Sequence, residues 1–114
     1  MDFSISGAVI TSGRLLETVL TGIPDDAHNP VAGGVEAETR EILRQLDEVL
    51  SAAGVDKLAV ASARLYLQHV NRDIAAVNVI WKEYFGQHVP VRRAYGVDLQ
   101  MGMLIEAAFV AELP

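Results

Sequence analysis

The sequence predicts an α+β fold: a mixed sheet with two helices on one face, in the order ββαβαββ. Three observations carry this. Apolar residues recur with a helical period in two stretches. The first holds Val35, Ile42, Leu43, Leu46, Val49 and Leu50, and the second Ile74, Val77, Trp81, Tyr84 and Phe85. Ser62 to Gln68 alternates, with Ala63, Leu65 and Leu67 on one side and Arg64 and Tyr66 on the other, as a strand with one wet face does. The last quarter, Val91 to Glu112, reads as two strands joined by a Gly-containing turn, and Met103 to Ala111 is apolar at almost every position.

In chain order, Asp2 to Thr11 predicts a first strand and Leu15 to Thr21 a second, paired as a hairpin across Ser12-Gly13. Gly22-Ile23-Pro24 ends it, and Asp25 to Gly34 is rich in turn formers. The first helix is expected over Val35 to Ala53. Glu36, Glu38 and Glu41 crowd its first half, where the helix dipole favours negative charge, and Gly54 suits its C-terminal cap. Asp56 stands where a short turn over Lys57 to Ala61 can start. Asn71 is a candidate cap for a second helix over Ile74 to Phe85, closed by Gly86 to Pro90. Two helices cover only one face of such a sheet. The run at 103–111 nevertheless reads as buried on both faces, so another copy of the chain is expected to cover the second.

The totals narrow the function classes. The 114 residues suffice for one domain, 1–114, with a real core. No apolar run approaches the ~20 residues that span a bilayer, and no basic patch followed by an apolar block marks a leader. Cytoplasm is the expected compartment, with no membrane partner. The absence of cysteine excludes disulfides, thiolate zinc sites and cysteine nucleophiles. With 15 acidic and 9 basic residues the chain lacks the basic footprint of a nucleic-acid binder, and its only basic doublet is Arg92-Arg93. Nucleic acid is therefore not expected as a partner.

Glu106 is the exception inside the last apolar run. A carboxylate there needs a partner or a task, because a lone buried charge costs several kcal/mol or shifts its pKa until neutral. Arg92, on the preceding strand, is a candidate partner. It shares a strand face with Ala94 and Gly96, whose small size leaves room for a guanidinium to hold a carboxylate through two parallel hydrogen bonds. The plainer reading of both residues is an ion pair at a subunit interface. Asn78 follows core residue Val77, where its amide can reach a neighbouring strand or loop; the plainer reading is an amide on the helix surface. His28, His69 and His88 show no metal-ligand spacing, Asp25-Asp26 lacks the rest of a calcium loop, and there is no phosphate loop or Gly-x-Ser-x-Gly elbow. No metal and no cofactor are expected.

Several segments together resemble the reactive-intermediate deaminase family (Rid, YjgF-like). They are Thr21-Gly22-Ile23-Pro24, Glu38-Thr39-Arg40 with Leu46 and Leu50, Ala53-Gly54, Asn71-Arg72-Asp73, Val77-Asn78 with Trp81, Pro90-x-Arg92, and Leu104-Ile105-Glu106-Ala107. The resemblance covers nearly the whole chain. It implies a chorismate-mutase-like subunit and a homotrimer whose sheets form a central barrel, with ligand clefts between subunits. It also implies hydrolysis of reactive enamines and imines, such as 2-aminoacrylate, to 2-oxo acids and ammonia. In that case Arg92 would bind the substrate carboxylate, Glu106 would position or activate water, and Thr21 and Asn78 would line the cleft. The sequence departs from the family pattern at Ile5, where a Tyr-Ser segment is usual. It departs again at Ile23, which follows Gly22 without the usual Gln, and at Ala94. These departures bear on substrate range. A non-catalytic trimeric carboxylate-binding or protein-protective module is the alternative. A ribonuclease activity, attached to some relatives, fits poorly with the acidic charge and the lack of paired histidines.

Overall fold

A computed structural model describes residues 13–114 in full, and residues 3–5 and 8–11 as backbone strands. The elements are β1 (Phe3–Ile5), β2 (Ala8–Thr11), β3 (Leu15–Thr21), α1 (Gly34–Ala52), a 3-10 turn (Lys57–Ala59), β4 (Val60–Leu67), α2 (Val70–Phe85), β5 (Val91–Gly96) and β6 (Ile105–Glu112). They build one mixed sheet in the order β1-β2-β3-β6-β4-β5. The pairings are antiparallel except β4 with β5, which run parallel across the α2 crossover.

Three features depart from the sequence pattern. The segment Asp2 to Thr11, which reads as one strand, is two: β1 and β2 pair antiparallel with Ile5 opposite Ala8. The Ser6-Gly7 dipeptide between them is the sequence signal for a turn. Helix α2 begins at Val70, so Asn71 lies inside it. The N-cap is His69, whose carbonyl accepts from Arg72 N at 3.1 Å and Asp73 N at 3.0 Å. The acidic Asp73 sits in the first turn, where the helix dipole favours it.

The third departure concerns the last quarter, because β5 and β6 are not a hairpin. The crossover helix returns the chain beside β4, which makes β5 the sheet edge, while β6 enters the slot between β3 and β4. The most apolar strand thus takes a central position with backbone partners on both sides.

Both helices lie on one face. Leu16 and Leu20 of β3, Ile105, Ala107 and Phe109 of β6, and Ala63, Leu65 and Leu67 of β4 are buried against Ile42, Leu46 and Leu50 of α1 and Val77, Trp81 and Phe85 of α2. Trp81 stacks on Phe109 with ring centroids 5.7 Å apart and planes 9° from parallel. The expected turn at Lys57 is the 3-10 turn, and the Asp56 carboxylate accepts from Leu58 N at 2.9 Å. Gly54 adopts φ +79°, as a glycine after a helix end does.

No helix covers the other face of the sheet in the single chain. The strand registers arrange it in rungs: Glu17, Val110, Ser62 and Val91; then Val19, Ala108, Arg64 and Arg93; then Thr21, Glu106, Tyr66 and Tyr95. Glu106, Ala108 and Val110 are half-buried, whereas their neighbours Ile105, Ala107, Phe109 and Ala111 are fully buried on the helix side. Val19 is 57% exposed and Val91 78%, so this face is open and shows apolar side chains to solvent among its polar ones.

Candidate functional site

The four candidate residues fall into two pairs. Thr21 and Glu106 are direct register partners across β3 and β6, on the open face. Cross-strand partners bring their Cβ atoms to about 4.5–5.5 Å, so the hydroxyl and the carboxylate share one small area. The Thr21 Oγ1 accepts from Ile23 N at 3.3 Å, which folds the Gly22-Ile23 turn back on the strand end.

Arg92 and Asn78 form the second pair. Arg92 Nη2 donates to Asn78 Oδ1 at 2.6 Å, and the guanidinium lies 5.5 Å from the Trp81 ring centroid. A cation over an indole face is attracted by the ring quadrupole, so Trp81 is both core and platform. Burial lowers the Arg92 pKa from its ordinary value.

The two pairs lie on opposite sides of the sheet. Arg92 is the register partner of Ala63, a buried residue of the helix face. Glu106 is the register partner of Tyr66, which alternates with buried Leu65 and Leu67 and so points the other way. The pairing of Arg92 with Glu106 that the sequence suggests does not form within the chain. Neither do Ala94 and Gly96 leave an open niche. Ala94 packs against the core, and a Cβ at Gly96 would come within 2.8 Å of Val70 Cγ1, so this glycine lets α2 close on the strand.

Two α1 residues that the sequence does not single out as site residues hold the Thr21–Glu106 half in place. Gln45 Nε2 donates to the carbonyls of Thr21 and Ile23, each at 3.1 Å. The buried Glu38 carboxylate accepts from Leu104 N at 2.9 Å, just ahead of β6. Its pKa is raised by burial, which outweighs the opposing backbone hydrogen bonds from Leu104 and Ile105, and the nearby Asp73 charge raises it further. A glutamate crowded into a helix start reads equally well as a surface charge, so only the tertiary packing reveals its role.

His28, His69 and His88 are all exposed. Among the described residues no group of three His, Cys, Asp or Glu side chains could hold a metal ion, and no helix is long and apolar enough to cross a membrane. The side chains of Ile5 and Ser6 lie outside the described residues.

The sequence model described as Endoribonuclease L-PSP matches residues 4–113. The human protein named 2-iminobutanoate/2-iminopropanoate deaminase is 35% identical over 107 residues, covering 93% of this chain and 77% of that protein. A Yersinia pestis structure described as a conserved Rid family protein superposes with TM-score 0.85 at 27% identity, covering 94% of this chain and 86% of that one. A Mycobacterium tuberculosis structure described as a member of the YjgF family superposes with TM-score 0.77, also at 27% identity, covering 94% and 85%. On sequence and fold together, the chain belongs to the Rid (YjgF-like) family that carries the Endoribonuclease L-PSP description.

Proposed function

We propose that the protein hydrolyses reactive 2-imino acids and their enamine tautomers to 2-oxo acids and ammonia, in clefts between the subunits of a homotrimer. The observation that carries this reading is the division of the site. Thr21 and Glu106 sit on the open face, while Arg92 and Asn78 sit at the β5 edge on the helix side. One copy cannot bring all four to one ligand, but two copies meeting head to tail can. Such contacts close into rings, and a ring of three would turn the open faces inward. Relatives named as 2-iminobutanoate/2-iminopropanoate deaminases support the same chemistry.

Arg92 holds the substrate carboxylate. Asn78 occupies one Nη2 hydrogen and fixes the fork, which leaves the other donors for two parallel bonds to the anion. Glu106 of the facing copy orients water against the imine carbon. The water oxygen bonds to that carbon, the C=N π pair moves to nitrogen, and Glu106 passes the water proton to it. The resulting carbinolamine collapses: the hydroxyl proton passes by way of Glu106 to the amino nitrogen, the oxygen lone pair forms the carbonyl, the C–N bond breaks with its electron pair going to nitrogen, and ammonia leaves. Thr21 accepts from Ile23 N and keeps its own hydrogen for the substrate. An imine carbon is already electrophilic, so orientation and proton transfer suffice.

The test is ammonia release from imines generated in place by an amino-acid oxidase. The protein should accelerate release above the spontaneous rate, and Arg92→Ala should remove most of the acceleration while the protein stays assembled. Spontaneous hydrolysis left unchanged by the wild type would refute the enzyme, and carboxylate binding without turnover would point to the non-catalytic module.

A further inference from the structure

The rung that carries Thr21 and Glu106 continues into an aromatic pair which the hydrolytic chemistry does not use. Tyr66 is the direct partner of Glu106 across β4 and β6, and Tyr95 is the partner of Tyr66 across β4 and β5. Their rings stack, with centroids 5.7 Å apart and planes 19° from parallel. Tyr95 is 44% exposed and Tyr66 half-buried. A cavity of about 390 Å³ opens beside Tyr95, lined also by Arg64, Arg92, Arg93, Ala108 and Val110, so the outer ring of the pair borders open space at the β5 edge.

The surroundings of Glu106 on this face are few. Across β3 lies Thr21, along β6 lies the small Ala108, and across β4 lies Tyr66. A substrate whose reacting carbon sits over Glu106, with its carboxylate drawn toward another copy's Arg92, has one aromatic surface on the neighbouring strand for its remaining arm. That surface is Tyr66. Tyr95 covers it from the β5 side, and Glu106 borders it on the β6 side. Stacking removes freedom from Tyr66 before any ligand arrives, so a planar group meets a surface already ordered.

We propose that Tyr66, backed by Tyr95, is the side-chain subsite and a specificity-determining residue. It selects 2-imino acids that carry a planar aromatic or broad apolar side chain over those that carry a methyl group. This rests on the imine-hydrolysis reading above.

The experiment compares imines generated in place from phenylalanine and from alanine by an amino-acid oxidase. It measures kcat/KM for each with wild type, Tyr66→Ala, Tyr66→Phe and Tyr95→Val, with secondary structure and assembly followed by circular dichroism and sedimentation. Wild type should favour the phenylalanine imine. Tyr66→Ala should lower that imine roughly tenfold more than the alanine imine, the scale of one aromatic contact. Tyr66→Phe should keep the preference, because the ring face carries it, and Tyr95→Val should fall between. If wild type accelerates the alanine imine and the ratio does not move in Tyr66→Ala, the subsite is refuted while the hydrolytic reading stands. If the variants lose both rates in step, the tyrosines are structural and the subsite is again refuted. If wild type accelerates neither imine, subsite and hydrolytic reading are both refuted.

Discussion

Arg92 is held on three sides: Asn78 fixes one terminal nitrogen, Trp81 lies beneath the guanidinium, and burial withdraws it from water. Glu106 stands in contrast, because among the described residues it has no ion-pair partner. In the proposed reaction Glu106 moves a proton, and it should then matter to turnover more than to affinity. Glu106→Gln should therefore lower kcat by roughly 10²–10⁴ with KM changed only a few-fold, read from steady-state kinetics on the imine. Equal loss in both constants would assign Glu106 to binding. Both residues can be found in the sequence, as a charge in an apolar run and an arginine ahead of it. Their relation cannot. The period-two rule tells which residues share a face within a strand, but the face that Arg92 shares with the core depends on β5 pairing with β4.

Glu38 makes a second prediction at this scale. Its folded pKa is raised, mainly by burial. The stability it contributes is full below the unfolded value, roughly 4.3, and is lost as pH rises through the raised folded value. Glu38→Gln keeps an acceptor for Leu104 N without a charge to desolvate. Urea unfolding should show the variant gaining on wild type between about pH 4 and about pH 7. A difference that is the same at both pH values would mean that ionisation of Glu38 is not the cause.

Among the elements, α1 does more than cover the sheet. Gln45 grips the end of β3 and Glu38 the approach to β6, so one rigid helix sets the spacing of Thr21 and Glu106. The fit is tight at Gly22, where a Cβ would stand 2.6 Å from Glu38 Cβ and Cγ and 3.0 Å from its Cα. Because the backbone of α1 is among the obstructing atoms, a side-chain rotation cannot relieve the clash. Gly22→Ala should cost about 1–3 kcal/mol, the usual penalty of overpacking, measured as a lower urea midpoint. A neutral result would show that α1 shifts freely.

The helices and β4 are legible in the sequence because their periodicity is strong and their stops are marked by Gly54 and Gly86. The start of α2 is not, because His69-Val70-Asn71-Arg72 carries no apolar stripe and His69 makes no side-chain cap bond. The split of the first strand turns on Ser6-Gly7 alone. Strand order is the least legible feature. Two neighbouring strands with a glycine between them look like a hairpin, and only the demand of β6 for partners on both sides separates them.

For the whole molecule, the open face is the feature that calls for a partner. Ala108 and Val110 of β6 line its middle beside Glu106, while Glu17 on the β3 side and Arg64 and Arg93 on the β4–β5 side give the two sides opposite charge. Such a surface suits head-to-tail packing, in which the acidic flank of one copy meets the basic flank of the next. Ala108→Asp places a charge in the middle of the face, and sedimentation should show the proposed trimer of the wild type replaced by single chains. Persistence of a trimer would show that copies meet elsewhere.

The insertion of β6 also bears on how the protein comes into being. This strand follows every other described strand in sequence, yet it occupies the middle of the sheet. During synthesis β3 and β4 leave the ribosome with no neighbour between them, and each offers a bare row of amides and carbonyls. A nascent chain stalled before residue 105 has two sticky edges and an unfilled core, the condition under which polypeptides cross-pair with their siblings. The protein depends on its closing residues in the way an arch depends on its keystone, so a premature stop near the end should be more damaging than a missing first strand.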